Sequence, residues 1–170
     1  MIQILTMEKF GIEIKWAAII TLSMCIWGFI EKQLGWHQEF SMILVSILLQ
    51  FLLLIVLMFI AFLDKKKNFF NGQWTFKQAF KFGLFLTALL TVLNPLAQYI
   101  IYQSVSPDYF NNIIEYQLAK GRYTKESLLE IHNIDLKIRE GVTNTLSIGV
   151  IFTALFAFVL KNKNSENELK

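Results

Sequence analysis

Charged residues and cysteine are scarce in this 170-residue sequence, and both shortages narrow what the chain can be. Only 17% of the residues are charged and 55% are hydrophobic, whereas a soluble domain is typically about 25% charged and roughly 45–50% apolar. The single cysteine, Cys25, excludes an intramolecular disulfide. A soluble fold of this length would have to bury nearly all of its sixteen phenylalanines in a limited interior.

Motifs that carry chemistry are also missing from the sequence. It has no glycine-rich phosphate loop, no nucleophile elbow and no paired-carboxylate motif. The two histidines, His37 and His132, lack the spacing of metal ligands. Basic residues do not form a stripe with interleaved aromatic residues, so nucleic acid is not an expected partner. These absences predict a non-enzymatic protein without a cofactor or a metal ion.

Four apolar segments are long enough to cross a membrane as helices. A bilayer core of about 30 Å needs about 20 helical residues at a rise of about 1.5 Å each. We therefore expect an all-α fold, an integral membrane four-helix bundle that forms one domain over residues 1–160 and contacts the lipid bilayer. The polar residues 161–170 are expected to be a disordered cytoplasmic tail. The four segments cover residues of about 14–34, 41–63, 82–102 and 142–160.

The distribution of lysine and arginine predicts the orientation of the chain. With the N-terminus in the cytoplasm, ten of the sixteen basic residues lie on the cytoplasmic side, where such residues concentrate. The lysines at 65–67 directly abut the end of the second apolar segment. The remaining six are mostly diluted among acidic residues in the segment 103–141. Both termini are therefore expected in the cytoplasm.

The segment 103–141 is expected to be an extracytoplasmic helical excursion between the third and fourth helices. Ser106 reads as the N-cap of a helix over residues 107–119, with proline at its first position. Thr124 is expected to cap a second helix, which either ends just before Gly141 or continues into the fourth span as one rod. Its apolar stripe has to cover the bundle, the first loop helix, the membrane surface or a partner. The stripe consists of Leu128, Ile131, Ile134 and Ile138.

Polar residues share one face of the third predicted helix, within an arc of about 80°. They are Thr87, Thr91, Asn94, Gln98 and Tyr102. Polar groups that face lipid lack partners, so this stripe should face the bundle interior. Pro95 removes one helical hydrogen bond there, and Gln50 of the second helix is expected to meet Asn94 or Gln98. Two interpretations remain open: hydrogen-bonded packing between helices, or a polar passage or small-ligand site at a kinked helix.

Small residues recur every fourth position in the fourth helical region and form a seam. The seam consists of Gly141, Thr145, Gly149, Thr153 and Ala157. The first helix repeats the pattern with Ala17, Thr21 and Cys25. Small residues at this spacing let helix backbones approach closely. We therefore expect the first and fourth helices to pack tightly, either on each other or across a homodimer.

Five stretches of the chain resemble the bacterial membrane-protein family labelled domain of unknown function 4199. They are MEKFGIEIKW at 7–16, LDKKKNFFNG at 63–72, FKQAF at 76–80, PLAQY at 95–99 and SPDYF at 106–110. The resemblance implies a small four-helix protein of the bacterial inner membrane with no assigned activity, so no site residue can be carried over. Since it begins at Met7, it also implies that residues 1–6 are an extension or that Met7 is the start.

The leading functional hypothesis from the sequence is a non-catalytic accessory or assembly subunit. Such a protein would act on a membrane-protein partner through helix packing and its outer loop. The alternative is a small-molecule or lipid transporter that uses the polar stripe of the third helix. Proton pumps and ion-coupled transporters are disfavoured because no ionisable residue lies in the middle of any of the four spans.

Overall fold

The structure of the chain is a computed structural model that describes residues 2–37 and 40–162, with only the backbone for 2–9 and 40. These residues form helices and short connections without a strand, which confirms the predicted all-α fold. The elements are α1 (Ile2–Gln33), α2 (Phe40–Asn68), α3 (Phe76–Tyr99), a six-residue π-helix (Ile100–Val105), α4 (Tyr109–Ala119), α5 (Lys125–Ile131) and α6 (Ile134–Leu160). Most of the predicted polar tail, residues 163–170, lies outside the described part of the chain.

Four helical segments have the length and apolar composition of membrane spans, as the sequence predicted. They are Phe10–Gln33, Ser41–Asn68, Phe76–Val105 and Lys125–Leu160. Each is longer than the apolar run that identified it, because the helices continue into flanking polar residues. At the start of α3, Thr75 Oγ1 accepts from the Gln78 backbone N–H at 3.2 Å, and Gln78 Oε1 accepts from the Thr75 N–H at 2.7 Å. This capping box starts α3 at Phe76 rather than near residue 82.

Helix α3 is the centre of the bundle. It packs along α6 and against α1, whereas α2 packs chiefly on α1. Where α2 approaches α3 and α6, Phe62 is fully buried, with its ring centre 5.0 Å from that of Phe82 and 5.4 Å from that of Phe156. We call this end, where α6 finishes at Leu160, the tail end. The opposite end, which carries α4 and α5, is the loop end.

Charged side chains are paired at the tail end. Lys65 Nζ lies 3.0 Å from Glu13 Oε2, and both side chains are almost completely buried. Trp16 Nε1 donates to Asp64 Oδ2 at 2.5 Å, and Lys15 forms an ion pair with the same carboxylate. These contacts join the first turns of the α1 span to the end of α2, so that charge is satisfied where the helices leave the apolar layer.

The C-terminus of α6 is held by two donors from the α2–α3 region. Lys66 Nζ and Trp74 Nε1 both donate to the Leu160 carbonyl, at 2.8 and 3.0 Å. The last carbonyls of a helix lack partners within the helix, and a cation there is favourable for the helix dipole. These two hydrogen bonds therefore stabilise the end of α6 beside the lysines at 65–67, which the sequence predicts at the cytoplasmic surface of the membrane.

The connection from α3 to α4 differs from the prediction. Ser106 is not a helix N-cap: its N–H donates to the Ile101 carbonyl at 2.8 Å, which closes the π-helix, and its side chain makes no capping bond. Helix α4 consequently starts at Tyr109, two residues after Pro107. The predicted cap was wrong because the wide π-turn draws Ser106 into a fully buried position.

The predicted second loop helix is divided into two. Thr124 caps α5 as expected, accepting from the Ser127 N–H at 3.3 Å, but α5 ends at Ile131. Asn133 then caps α6 by accepting from the Leu136 N–H at 3.0 Å. From there α6 runs without a break through Gly141 to Leu160. The loop helix therefore continues into the fourth span, as one alternative predicted, but the continuous helix begins at Ile134, after an interruption at residues 132–133.

Candidate functional site

The structure places the polar stripe of α3 against the small-residue seam of α6. The hydroxyl oxygens of Thr87 and Thr153 lie 3.4 Å apart. Asn94 Nδ2 donates to Thr145 Oγ1 at 3.2 Å. A Cβ atom added to Gly149 would lie only 2.4 Å from Thr87 Cγ2, so glycine is required for this approach. The hydroxyl of Thr91, by contrast, donates to the backbone carbonyl of its own helix, at 2.8 Å.

The expectation that the first and fourth helices pack on each other is not met. The seam of α6 lies on α3, because α3 supplies the hydroxyl and amide groups that complement it. On α1, Ala17 is buried in the core, and a Cβ on Gly28 would lie 3.1 Å from Ile101. Within one chain α3 covers Gly149, Thr153 and Ala157 of the seam, and the homodimer remains a prediction.

A cavity of about 350 Å³ opens between α1, α2, α3 and α6. It lies towards the loop end, beyond the aromatic contacts that hold α2 at the tail end. Pockets of roughly 300–1,000 Å³ accommodate drug-sized ligands. Four of the predicted polar residues, Gln50, Asn94, Gln98 and Tyr102, line this cavity together, whereas Thr87 and Thr91 do not. Gly141 and Thr145 of the predicted seam line it as well. Further polar lining residues are Thr21, Ser46 and Asn144.

An ionisable pair closes the loop end of the cavity. His37 Nε2 lies 3.0 Å from Glu31 Oε2, with 5% and 10% of the side chains exposed. The His37 ring packs edge-on against Tyr109 at 5.1 Å between ring centres, and the Tyr109 ring lies 4.6 Å from that of Tyr102. Lys137 Nζ of α6 lies 5.8 Å from the Tyr102 ring centre. All five residues line the cavity.

The Tyr109 phenol is neutral across the physiological range. Burial, together with the carboxylates of Glu31 and Glu140, raises the pKa of Tyr109 to about 12 against the opposing effect of a hydrogen bond with Tyr102. Desolvation disfavours the charged form of a buried group. The two tyrosines therefore present neutral rings and hydroxyl groups to the cavity.

Four buried polar atoms on cavity-lining residues have no hydrogen-bond partner within the described residues. They are Glu31 Oε1, His37 Nδ1, Asn94 Oδ1 and Gln98 Oε1. Leaving such an atom unpaired costs about 1–3 kcal/mol, and more for a charged group. Native structures pair nearly all buried polar groups with protein or water. Because their residues line the cavity, these atoms could pair with water or a ligand held there, which makes the cavity the candidate site.

Sequence reasoning missed the loop-end half of the site. No role was assigned to Glu31 from the sequence, His37 was considered only as a metal ligand, and Tyr109 and Lys137 fell in the segment 103–141. Their convergence depends on the π-helix and on the start of α6, neither of which has a spacing signal that joins residues 31, 109 and 137. Among residues 2–37 and 40–162, no group of three His, Cys, Asp or Glu side chains is arranged to hold a metal ion.

The close approach of α3 and α6 predicts the effect of adding one methyl group. Gly149→Ala should lower the free energy of unfolding by about 1–3 kcal/mol, because the new Cβ would collide with Thr87. Reversible denaturation in mixed detergent micelles measures this change. Gly11→Ala is the matched control, since a Cβ at Gly11 meets nothing within 4 Å. Equal stability of both variants would contradict the packing described here.

Comparison with known proteins identifies a family. Residues 15–162 match the family described as protein of unknown function, DUF4199, which covers nearly all of the four spans. The predicted family is thereby confirmed; four of the five stretches lie within the match, and the stretch at 7–16 lies mostly before it. No curated protein and no solved structure matches the chain.

Proposed function

We propose that this chain, which belongs to the DUF4199 family of proteins of unknown function, binds a small molecule inside its membrane bundle and carries it across the bilayer. The observation that supports this proposal is the cavity of about 350 Å³, whose walls hold four unpaired buried polar atoms. A site used only for helix packing would have paired those atoms between helices, as Asn94 and Thr145 are paired.

The position of the cavity supports transport. Glu31, Gln50, Asn94 and Gln98 all belong to the spanning segments, so a ligand in the cavity lies within the membrane layer. Transporters commonly bind their substrates at such depth, between helices that move relative to one another. Helix α2 is the moving wall in this proposal, because it contacts α3 and α6 far less than these two contact each other.

The accessory role loses its main support from this arrangement. It rested on the seam of α6 and on the outer loop, and α3 covers the seam. What remains is a group of apolar side chains on the loop that are about half exposed, namely Tyr123, Leu129 and Ile131. Contact with headgroups accounts for these as well as a partner does. We therefore rank the accessory role second.

We further place the protein in the bacterial inner membrane, with both termini in the cytoplasm and the loop end outside. The lysines at 65–67 at the end of α2 support this orientation. Alkaline phosphatase and green fluorescent protein fused after residues 72 and 125 test it. The fusion after residue 72 should fluoresce and the fusion after residue 125 should show phosphatase activity. The reverse pattern would contradict the orientation, and the same pattern at both sites would contradict four spans.

Cysteine accessibility tests the proposed function directly. In a Cys25→Ala background, Gln98→Cys places a thiol on the cavity wall, and Val92→Cys places one on the same helix where the side chain is 75% exposed on the outer surface of the bundle. A charged methanethiosulfonate reagent reacts with thiolate in water but not with a thiol in hydrocarbon. We expect labelling of the Gln98→Cys protein at least about tenfold faster than of the Val92→Cys protein.

The same experiment separates transport from one-sided binding. In right-side-out and inverted vesicles, a transporter exposes its site to each face in turn, so the Gln98→Cys thiol should react in both preparations. Reaction in only one preparation would contradict transport. Reaction in neither, with folded protein shown by an unchanged gel-filtration profile, would contradict a water-accessible site.

A further inference from the structure

The chemistry of the cavity wall narrows the class of ligand. Resting on the function proposed above, we infer that the ligand is an amphipathic primary amine, bound as its ammonium ion between Glu31 and the amide oxygens of α3. The inference stands on which polar atoms lack partners, on the charge of the lining and on its aromatic and apolar parts.

The unpaired atoms of the wall are hydrogen-bond acceptors. Glu31 Oε1, Asn94 Oδ1 and Gln98 Oε1 can only accept. His37 Nδ1 is also an acceptor when Nε2 carries the proton that it donates to Glu31 at 3.0 Å. A primary ammonium has three donors and no acceptor. A hydroxyl group brings its own acceptor, and a carboxylate or phosphate would place acceptors against acceptors.

The charges of the lining favour a cation as well. The side chains of Glu31 and Glu140 contribute two carboxylates, and Lys137 contributes one ammonium. Two carboxylates thus face one ammonium in the lining, beside the His37 ring that is bonded to Glu31. Glu31 is itself buried to about nine-tenths, so its attraction for a cation is only weakly screened by water.

Aromatic and apolar groups define the rest of the ligand. The rings of Tyr102 and Tyr109 stand beside Glu31 at the loop end, where they provide faces for a cation. Towards the core the lining changes to Ile20, Met24, Leu54 and Leu90. A molecule with an ammonium at the loop end and an apolar body directed at Leu90 matches both parts. Its size is bounded by the cavity of about 350 Å³.

Phenethylamine, phenethyl alcohol and phenylacetate are probes of similar size that differ in the head group. Their affinities for the full chain in lipid nanodiscs can be measured by titration calorimetry, with empty nanodiscs subtracted for partitioning into lipid. We expect phenethylamine to bind at least about tenfold more tightly than the alcohol, because a charge-assisted hydrogen bond is roughly twice as strong as a neutral one. Phenylacetate should bind more weakly than either.

Variants locate the binding. Glu31→Gln should reduce the affinity for phenethylamine at least about tenfold and leave that for the alcohol nearly unchanged. Glu126→Gln removes the same charge from an exposed position outside the cavity and serves as the matched control. Gln98→Leu removes an acceptor without changing the charge and should also weaken amine binding. It serves as the test if Glu31→Gln does not fold.

The outcomes separate this inference from the proposed function. The inference is overturned if phenethylamine does not bind, if the alcohol or phenylacetate binds as tightly, or if Glu31→Gln and Gln98→Leu both leave amine affinity unchanged. If another probe binds and protects the Gln98→Cys thiol from labelling, the ligand is not an amine but the proposed binding function holds. If that thiol cannot be labelled at all, both the amine ligand and the proposed function are contradicted.

Discussion

The close approach of α3 to α6 is the constraint on which the rest of the bundle depends. Gly141 and Gly149 lack the Cβ atoms that would collide with Asn94 and Thr87, so the two backbones come within reach of short polar side chains. Between helices in lipid there is little hydrophobic driving force, and association rests on van der Waals packing and hydrogen bonds. The glycines provide the first, and the contact from Asn94 to Thr145 provides the second.

This contact also creates the cavity. With α6 on one side of α3 and α1 on another, the polar stripe lies inside the bundle, where Thr87 is fully buried and the rest of the stripe is half-buried. Helix α2 packs on α1 and on the aromatic cluster around Phe62 at the tail end. The part of α3 from Asn94 to Gln98, towards the loop end, is then covered by α6, but α2 does not fill the space beside it. The space, its apolar lining and the unpaired amide oxygens thus follow from one arrangement of helices, and Glu31 with His37 adds an ionisable pair at the loop end.

Sequence reasoning reached the spans and the stripe but not the whole site, for physical reasons. The spans could be predicted because the hydropathy of a segment depends only on residues that are neighbours in the sequence. The stripe could be predicted because the helical period of 3.6 residues places Asn94 and Gln98 on one face. Which helix meets that face depends on three-dimensional complementarity, so the seam of α6 was paired with the first helix instead of α3. Ser106 has the local signal of an N-cap, yet its N–H closes the preceding π-helix and its side chain does not cap α4. Glu31 and Lys137 meet only through the complete bundle.

Disulfide trapping of α3 on α6 tests the central claim most directly. In a Cys25→Ala background, Thr87→Cys with Thr153→Cys replaces two hydroxyl groups that lie 3.4 Å apart. Mild oxidation in native membranes should remove both thiols while the chain still migrates as a monomer. Thr87→Cys with Ile151→Cys, whose α6 position is 63% exposed, should keep its thiols. A disulfide-linked dimer, or equal oxidation of the two pairs, would contradict the arrangement of α3 on α6 within one chain.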